Sequence, residues 1–232
     1  MSTLYIVATP IGNLEDVTLR AIRVLKESGL IAAEDTRKTK RLLAAHQIET
    51  PLTSYYEHNK RSKLPHLLKM LEENDVALVS EAGMPGINDP GYDLITAAVA
   101  HDIKVVPIPG PSAIPTALAV SGLTAEQFVH LGFLPRKSGA RRKLLESVAS
   151  APRAIVAFES PHRLPAALKD ISETLGERKL TICREMTKLH EEIFRGTASL
   201  AIEHFIKPRG EFTLVIEGKV RRKVASLDME EE

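Results

Sequence analysis

Ala77-Leu78-Val79-Ser80-Glu81-Ala82-Gly83-Met84-Pro85-Gly86-Ile87-Asn88-Asp89-Pro90-Gly91 is the stretch on which the reading of this chain turns. A short apolar run passes straight into a loop with three glycines, two prolines, an asparagine and an aspartate, and a helical pattern follows from Tyr92. Such a loop exposes backbone groups at the end of a buried strand. In open α/β sheets ligands bind outside the carboxyl ends of the strands, so a ligand site is expected here rather than an elaborate turn. Gly86 and Gly91 have the spacing of P-loop glycines, but Tyr92 and Asp93 stand where Lys and Ser/Thr are required. No G-x-G-x-x-G follows the first strand. A Mg-nucleotide or a pyrophosphate is therefore not the expected ligand.

Outward from this loop, the first half alternates strands and helices. Leu4-Tyr5-Ile6-Val7-Ala8 reads as a buried strand leading to Thr9-Pro10-Ile11-Gly12-Asn13. Asp16 is expected to cap a helix bearing Val17, Ala21, Ile22 and Leu25, which Gly29 stops. Leu30-Ile31-Ala32-Ala33 is a second strand, ending at Glu34-Asp35-Thr36-Arg37 before a basic helix through Leu42 and Leu43. Ser62 is expected to start a helix with Leu64, Leu67, Leu68 and Leu71 on one face. A strand over 76–80, a helix through Ile95 and Val99, and a strand over 104–108 follow. Strands that are apolar throughout, with helical crossovers, predict a mainly parallel sheet covered on both faces. Pro109-Gly110-Pro111-Ser112 then leads into a helix with Ile114, Leu118 and Val120, whose first N–H groups suit a polar ligand group.

The pattern changes near Ser121-Gly122-Leu123-Thr124. Strands are expected near 129–134, 154–159, 180–184 and 212–217, with a helix opened by Ser160-Pro161. The expected organisation is an α/β domain over 1–115, a second over 120–220, a linker within 112–124 and a charged tail over 221–232.

The chain has 232 residues, 44% of them hydrophobic and 26% charged, as in globular proteins. No apolar run approaches the roughly 20 residues that span a bilayer, and no basic region with an apolar signal core opens the chain. Cys183 is the single cysteine, so no internal disulfide forms. A cytoplasmic protein without membrane association is expected. The net charge of +1 does not by itself announce a nucleic-acid binder, and without Trp an aromatic base-stacking platform is not expected.

No metal site is expected. His190-Glu191 begins like a zinc-protease helix, but Phe194 occupies the second His position. Glu34, Asp35, Glu81 and Glu159 end strands, where each is open to a role as base, as ligand contact or in a surface ion pair. His58 is a further candidate base. Basic residues cluster at Arg37, Lys38, Lys40 and Arg41; at Lys60, Arg61 and Lys63; and at Arg136, Lys137, Arg141, Arg142 and Lys143. They read either as solvated helix faces or as contacts to an RNA backbone.

Six ordered motifs resemble a known family: residues 5–16, Ala33-Glu34-Asp35-Thr36-Arg37, residues 80–91, Pro107-Ile108-Pro109-Gly110-Pro111-Ser112-Ala113, Phe158-Glu159-Ser160-Pro161-His162-Arg163 and Arg184-Glu185-Met186-Thr187-Lys188. The chain is similar, to about Gly218, to the ribosomal RNA small-subunit methyltransferase I family of the tetrapyrrole-methylase superfamily. The resemblance implies two α/β domains with an active-site cleft between them, S-adenosylmethionine as methyl donor, a homodimer, and 2′-O-methylation of a cytidine ribose in the decoding centre of 16S rRNA in the small ribosomal subunit. It implies donor contacts from Pro10, Gly83, Ile87, Asp89, Ser112 and Ala113, and from Phe158, Glu159, Glu211 and Thr213. Because a ribose hydroxyl is a poor nucleophile, Glu34 or Asp35 is expected as general base, and Arg37, Arg136, Lys137, Arg141 and Arg142 as phosphate contacts. Rival readings are a tetrapyrrole or protein methyltransferase of the same superfamily, a non-catalytic module binding a small ligand, and a structural ribosome-associated protein.

Overall fold

Strands of three to five residues, mostly apolar, build the first sheet. In the computed structural model, which describes residues 2–219, these are β1 (Thr3–Val7), β2 (Leu30–Ala33), β3 (Leu52–Ser54), β4 (Val76–Val79) and β5 (Lys104–Ile108). All neighbours pair in parallel, in the order β3-β2-β4-β1-β5. Period-two alternation sends successive side chains to opposite faces. Val7, Ala33 and Val79 meet Ala21, Val24 and Leu25 of α1 (Leu19–Glu27) and Leu42 and Leu43 of α2 (Thr36–Ala45). Leu4, Ile6 and Leu78 meet Leu67 and Leu71 of α3 (Lys60–Glu73) and Leu94 and Ala98 of α4 (Tyr92–Ala100). Helices on both faces explain why the central strands carry no polar side.

Several local expectations are corrected. Asp16 does not cap α1. It ends a short 3₁₀ turn, Leu14–Asp16, and Thr18 caps α1 by accepting the Ala21 N–H at 3.1 Å. The third helix starts at Lys60 after Asn59, not at Ser62. The strand β3 passed unnoticed because three residues are too short to show a period. The polypeptide divides into two compact units: residues up to Thr116 with Met186–His190, and Ala117–Glu185 with the residues from Glu191. The division falls inside α5 (Ala113–Ser121), the helix that follows Ser112. The expected tail over 221–232 lies outside the described residues.

The second unit contains β6 (Phe128–Phe133), α6 (Ser138–Val148), β7 (Ala154–Glu159), α7 (Leu164–Leu175), β8 (Leu180–Arg184), β9 (Glu192–Gly196), α8 (Ala198–His204) and β10 (Phe212–Ile216). Its sheet is mixed, in the order β6-β7-β10-β8-β9, with β6 parallel to β7 and the other pairs antiparallel. The helix after β7 opens at Leu164 with Pro165 in its first turn. Residues 161–163 form a turn. Strand β9 escaped the sequence reading because it is a half-exposed edge carrying Glu192 and Arg195. Cys183 is buried in β8, and burial pushes its thiol up to about 11, so it packs as an inert apolar side chain. No helix among the described residues is long and apolar enough to cross a membrane.

Helices α6 and α7 are joined through one buried carboxylate. Asp170 is 2% exposed and Arg141 3% exposed, and Arg141 Nε donates to Asp170 Oδ2 at 2.7 Å. Arg142 Nε and the Ser138 hydroxyl donate to Asp170 Oδ1 at 2.7 and 2.9 Å. Burial pushes the Asp170 carboxyl up, but the hydrogen bonds from Arg142, Ser138 and Arg141 outweigh it and hold it below the usual range. Asp170→Ala would leave the Arg141 guanidinium buried without a counter-ion. It is expected to destabilise the protein by about 3 kcal/mol in a denaturant titration, far more than loss of an exposed pair such as Arg23–Glu27.

Candidate functional site

A parallel sheet puts every strand-to-helix loop at one edge. Here those are residues 8–13, 34–35, 55–59, 80–91 and 109–112. The chain leaves β1 towards β2 over one face and leaves β4 towards β5 over the other, so the order reverses between neighbours β1 and β4. At such a reversal the two loops diverge and open a crevice. A hollow of about 330 Å³ at the opposite, amino-terminal edge is lined by Ser2, Glu27, Gly29, Glu73, Asn74 and Asp75. It lies away from these loops.

At the reversal the loops are tied by backbone. The Thr9 N–H donates to the Gly83 carbonyl at 2.9 Å, and the Gly83 N–H donates to Thr9 O at 3.0 Å. Gly83 has φ +79°, which a side chain would strain. A Cβ there would point to where three loops converge, 3.6 Å from Ile11 Cγ2 and 3.7 Å from the Pro111 carbonyl oxygen. Gly110 packs as closely on β1, since a Cβ would lie 2.9 Å from Ala8 Cβ. The Thr9 hydroxyl oxygen is buried without a hydrogen-bond partner among the described residues. A buried hydroxyl in that state sits beside Pro10 as a ready contact for a polar ligand.

The structure thus brings Pro10, Gly83, Ser112 and Ala113 to one sheet edge, with Ile87 and Asp89 on the longest of its loops. Ser112 precedes α5, and its carbonyl accepts the Thr116 hydroxyl at 2.7 Å. Ile87 is 47% exposed. Burial pushes the Asp89 carboxyl up to about 6. The charge of Glu34 adds to the rise and a hydrogen bond with Ser80 opposes it. Glu34 is half-buried and its Oε2 accepts the Glu81 N–H at 3.0 Å. Burial raises its proton affinity, Lys38 opposes the rise and Asp35 adds to it.

The two candidate bases separate here. Asp35 caps α2, accepting the N–H groups of Arg37 and Lys38 on Oδ1 at 2.8 and 3.3 Å. These backbone hydrogen bonds lower its proton affinity, which makes it a poor base. Glu81 is committed to an ion pair with Lys38, and His58 is exposed beside Tyr56.

In the second unit Phe158 and Thr213 are register partners, and so are Glu159 and Phe212, on the paired strands β7 and β10. Glu159 is buried. Its Oε1 accepts the Ser160 N–H at 2.7 Å and lies 2.6 Å from Arg163 Nη2, while Oε2 has no partner among the described residues. The Glu211 N–H donates to Glu185 Oε1 at 2.9 Å. Of the expected phosphate contacts, Arg37, Arg136 and Lys137 are exposed. Arg141 is not: its guanidinium is spent on Asp170 and on the Pro135 and Ala166 carbonyls, a correction that only tertiary contacts reveal. Arg142 is partly exposed and held by Asp170 and Glu173. No cluster of three or more metal-ligating side chains occurs among the described residues.

One contact had no signal in the sequence. Thr187 lies 174 residues beyond Asn13, yet its Oγ1 accepts the Asn13 N–H at 3.0 Å. A Cβ on Gly12 would fall 2.8 Å from the Met186 carbonyl oxygen, so that glycine is what lets residues 186–188 pack against the β1 loop.

Comparison with known proteins matches residues 3–201 to the family described as Tetrapyrrole (Corrin/Porphyrin) Methylases. The ribosomal RNA small subunit methyltransferase I of Thermotoga maritima is 51% identical over 222 residues, covering 94% of this chain and 100% of the relative. That of Halalkalibacterium halodurans is also 51% identical, over 93% of this chain and 76% of the relative. Among solved structures, a diphthine synthase superposes with TM-score 0.76 at 11% identity, over 95% of this chain and 92% of the other. The uroporphyrin III C-methyl transferase of Thermus thermophilus gives 0.68 at 18% identity, over 93% and 97%. At such identities these two structures show the shared fold alone.

A carboxyl whose proton affinity rises on folding makes the native state bind more protons than the unfolded one. Asp89 therefore costs nothing below its ordinary value near 4 and destabilises progressively as pH climbs through about 6. Asp89→Asn is expected to stabilise the protein at pH 8 by about 1 kcal/mol after allowing for solvent screening, read as a higher melting temperature, and to leave the melting temperature unchanged at pH 4.

Proposed function

Because this chain belongs to the tetrapyrrole (corrin/porphyrin) methylases, and within them to the family of ribosomal RNA small subunit methyltransferase I, we propose that it transfers a methyl group from S-adenosylmethionine to the 2′-oxygen of a cytidine ribose in the decoding centre of 16S rRNA. The observation that carries the reading is identity of about one half along nearly the whole chain to relatives named for small-subunit rRNA, against 11% and 18% to those named for diphthine and uroporphyrin. The chain then works in the cytoplasm on the small ribosomal subunit, as a homodimer and without a metal.

The first unit's loops suit such a donor. They lack the Lys that grips terminal phosphates, and beside the Thr9–Gly83 bridge they offer the space next to Gly83 and the buried Thr9 hydroxyl. Pro10, Gly83, Ile87, Asp89, Ser112 and Ala113 would hold it. When bound, S-adenosylmethionine supplies an electrophilic methyl group on a sulfonium. The protein aligns the acceptor hydroxyl, excludes water and accepts the hydroxyl proton. Glu34 suits the last task because burial raises its proton affinity, whereas Asp35 is occupied at the start of α2. Arg37, Arg136 and Lys137 suit phosphate contact because they are exposed.

Radiolabelled S-adenosylmethionine incubated with the protein and unmodified small subunits is expected to label a single ribose 2′-oxygen. Donor binding by calorimetry without label on the RNA would sink the acceptor assignment. Glu34→Ala is expected to lower kcat by about 10²-fold or more with donor affinity retained. Asp35→Ala keeps kcat within a few-fold and lowers the melting temperature. Removing the charge of Arg136 or Lys137 is expected to weaken RNA binding and reduce its salt slope by about one unit each, whereas Arg141→Met leaves that slope unchanged.

A further inference from the structure

Resting on the reading of RNA as substrate, we propose that Phe133 is a stacking platform for one unpaired base of that RNA, with Arg136 and Lys137 holding the phosphates beside it. Every part of the platform lies in the second unit. Strand β6 is the outer strand of its sheet, and it carries a bulge. His130 pairs with Val156 and Phe133 with Phe158, so three steps along β6 match two along β7. The extra residue falls at Leu131-Gly132, where Gly132 has φ +65°. A bulge of this kind bends a strand and re-aims a side chain. Val129 and Leu131 pack on the helix-covered core of the unit, and strict alternation would send Phe133 there as well. The bulge shifts the alternation by one residue. Leu134 enters the core at 1% exposure, and Phe133 turns to the other face and stands 60% exposed.

A lone exposed apolar side chain calls for no explanation, but this ring is braced. It leans on Phe158 at 5.5 Å between centroids, and Phe158 meets His130 edge-on at 4.9 Å. These are separations of favourable aromatic pairs. A ring held in place loses little freedom when a base stacks on it. Strands β6 and β7 are parallel, so the segments 134–137 and 160–163 leave the same edge of the sheet. They carry Arg136, Lys137, His162 and Arg163, and no carboxylate. Arg163 is taken by Glu159, whereas Arg136 and Lys137 are exposed. Arg136 is three residues from Phe133, at most about 11 Å along the chain. Its turn is fixed from below, because Arg141 Nη1 donates to the Pro135 and Arg136 carbonyls at 3.1 and 3.4 Å. The guanidinium that phosphate cannot reach thus holds the turn whose cations it can. An aromatic face beside exposed cations recognises single-stranded nucleic acid, since stacking takes the base and the cations take the backbone. A chain with no Trp and 4% aromatic residues is not expected to stack bases widely, and one Phe re-aimed by a bulge does not show in its composition.

The lack of Trp supplies the test. Phe133→Trp puts a single indole at this spot in the full-length protein. Its fluorescence is expected to be quenched by short oligocytidylate, but neither by a ribose-phosphate chain of equal length without bases nor by S-adenosylmethionine alone. Phe133→Ala is expected to weaken oligocytidylate binding on the order of 10-fold with its salt slope unchanged, and to leave binding of the abasic chain as it was. The melting temperature of both variants stays near that of the wild type, because the ring lies mostly outside the core. None of these readouts needs methyl transfer. An RNA left unlabelled would strike the acceptor assignment and leave the platform standing. The platform itself falls if oligocytidylate does not bind, or binds without quenching the indole, or binds Phe133→Ala as tightly as the wild type. Quenching by the abasic chain would also overturn it, and quenching by S-adenosylmethionine would give the ring to the donor's adenine instead.

Discussion

Two backbone hydrogen bonds between Thr9 and Gly83 are the constraint on which the candidate site depends. They form an antiparallel bridge just past the ends of two parallel strands, at the point where the sheet order reverses. Without that tie the β1 and β4 loops would leave in opposite directions, over opposite faces, with nothing to set their separation. The tie demands φ +79° at residue 83, and only glycine adopts this without strain while leaving clear the space towards Ile11 and Pro111.

The same edge concentrates unfavourable electrostatics. Glu34 and Asp89 are both partly buried and both raised in proton affinity, a cost carried by the packed sheet beneath them. Contrast Asp170 in the second unit, where Arg141, Arg142 and Ser138 satisfy a more deeply buried carboxylate and hold its proton affinity down. One carboxylate is stabilised as an anion by its surroundings and serves packing. The others lack such partners, and burial disfavours their anions.

Much of the first unit was legible because its signals are local. Apolar runs of four to five residues, glycine and proline punctuation, and period-3.6 helices located β1, β2, β4, β5 and the loop over 80–91 to within a residue or two. Capping was less legible. Asp16 and Thr18 are both good N-cap residues two positions apart, and the choice of Thr18 follows from the 3₁₀ turn that Asn13 nucleates. The short β3 and the charged edge strand β9 were invisible because each exists by pairing with a neighbour, not by its own pattern.

By itself the sequence determined the alternation of strand and helix, the parallel sheet of the first half, the loop that carries the site, and through six ordered motifs the family. These are properties of short segments, set by side-chain periodicity and by what glycine and proline allow. Tertiary structure alone decided which charged groups are available. Arg141 and Arg142 look equivalent in sequence, yet one is buried against Asp170 and the other half-exposed. Glu34 and Asp35 are adjacent, yet one is half-buried and accepts the Glu81 N–H of the loop after β4, and the other caps a helix. Thr187 reaches Asn13 across 174 residues. Proton affinity and exposure depend on neighbours distant in the chain, and a linear pattern does not encode that distance.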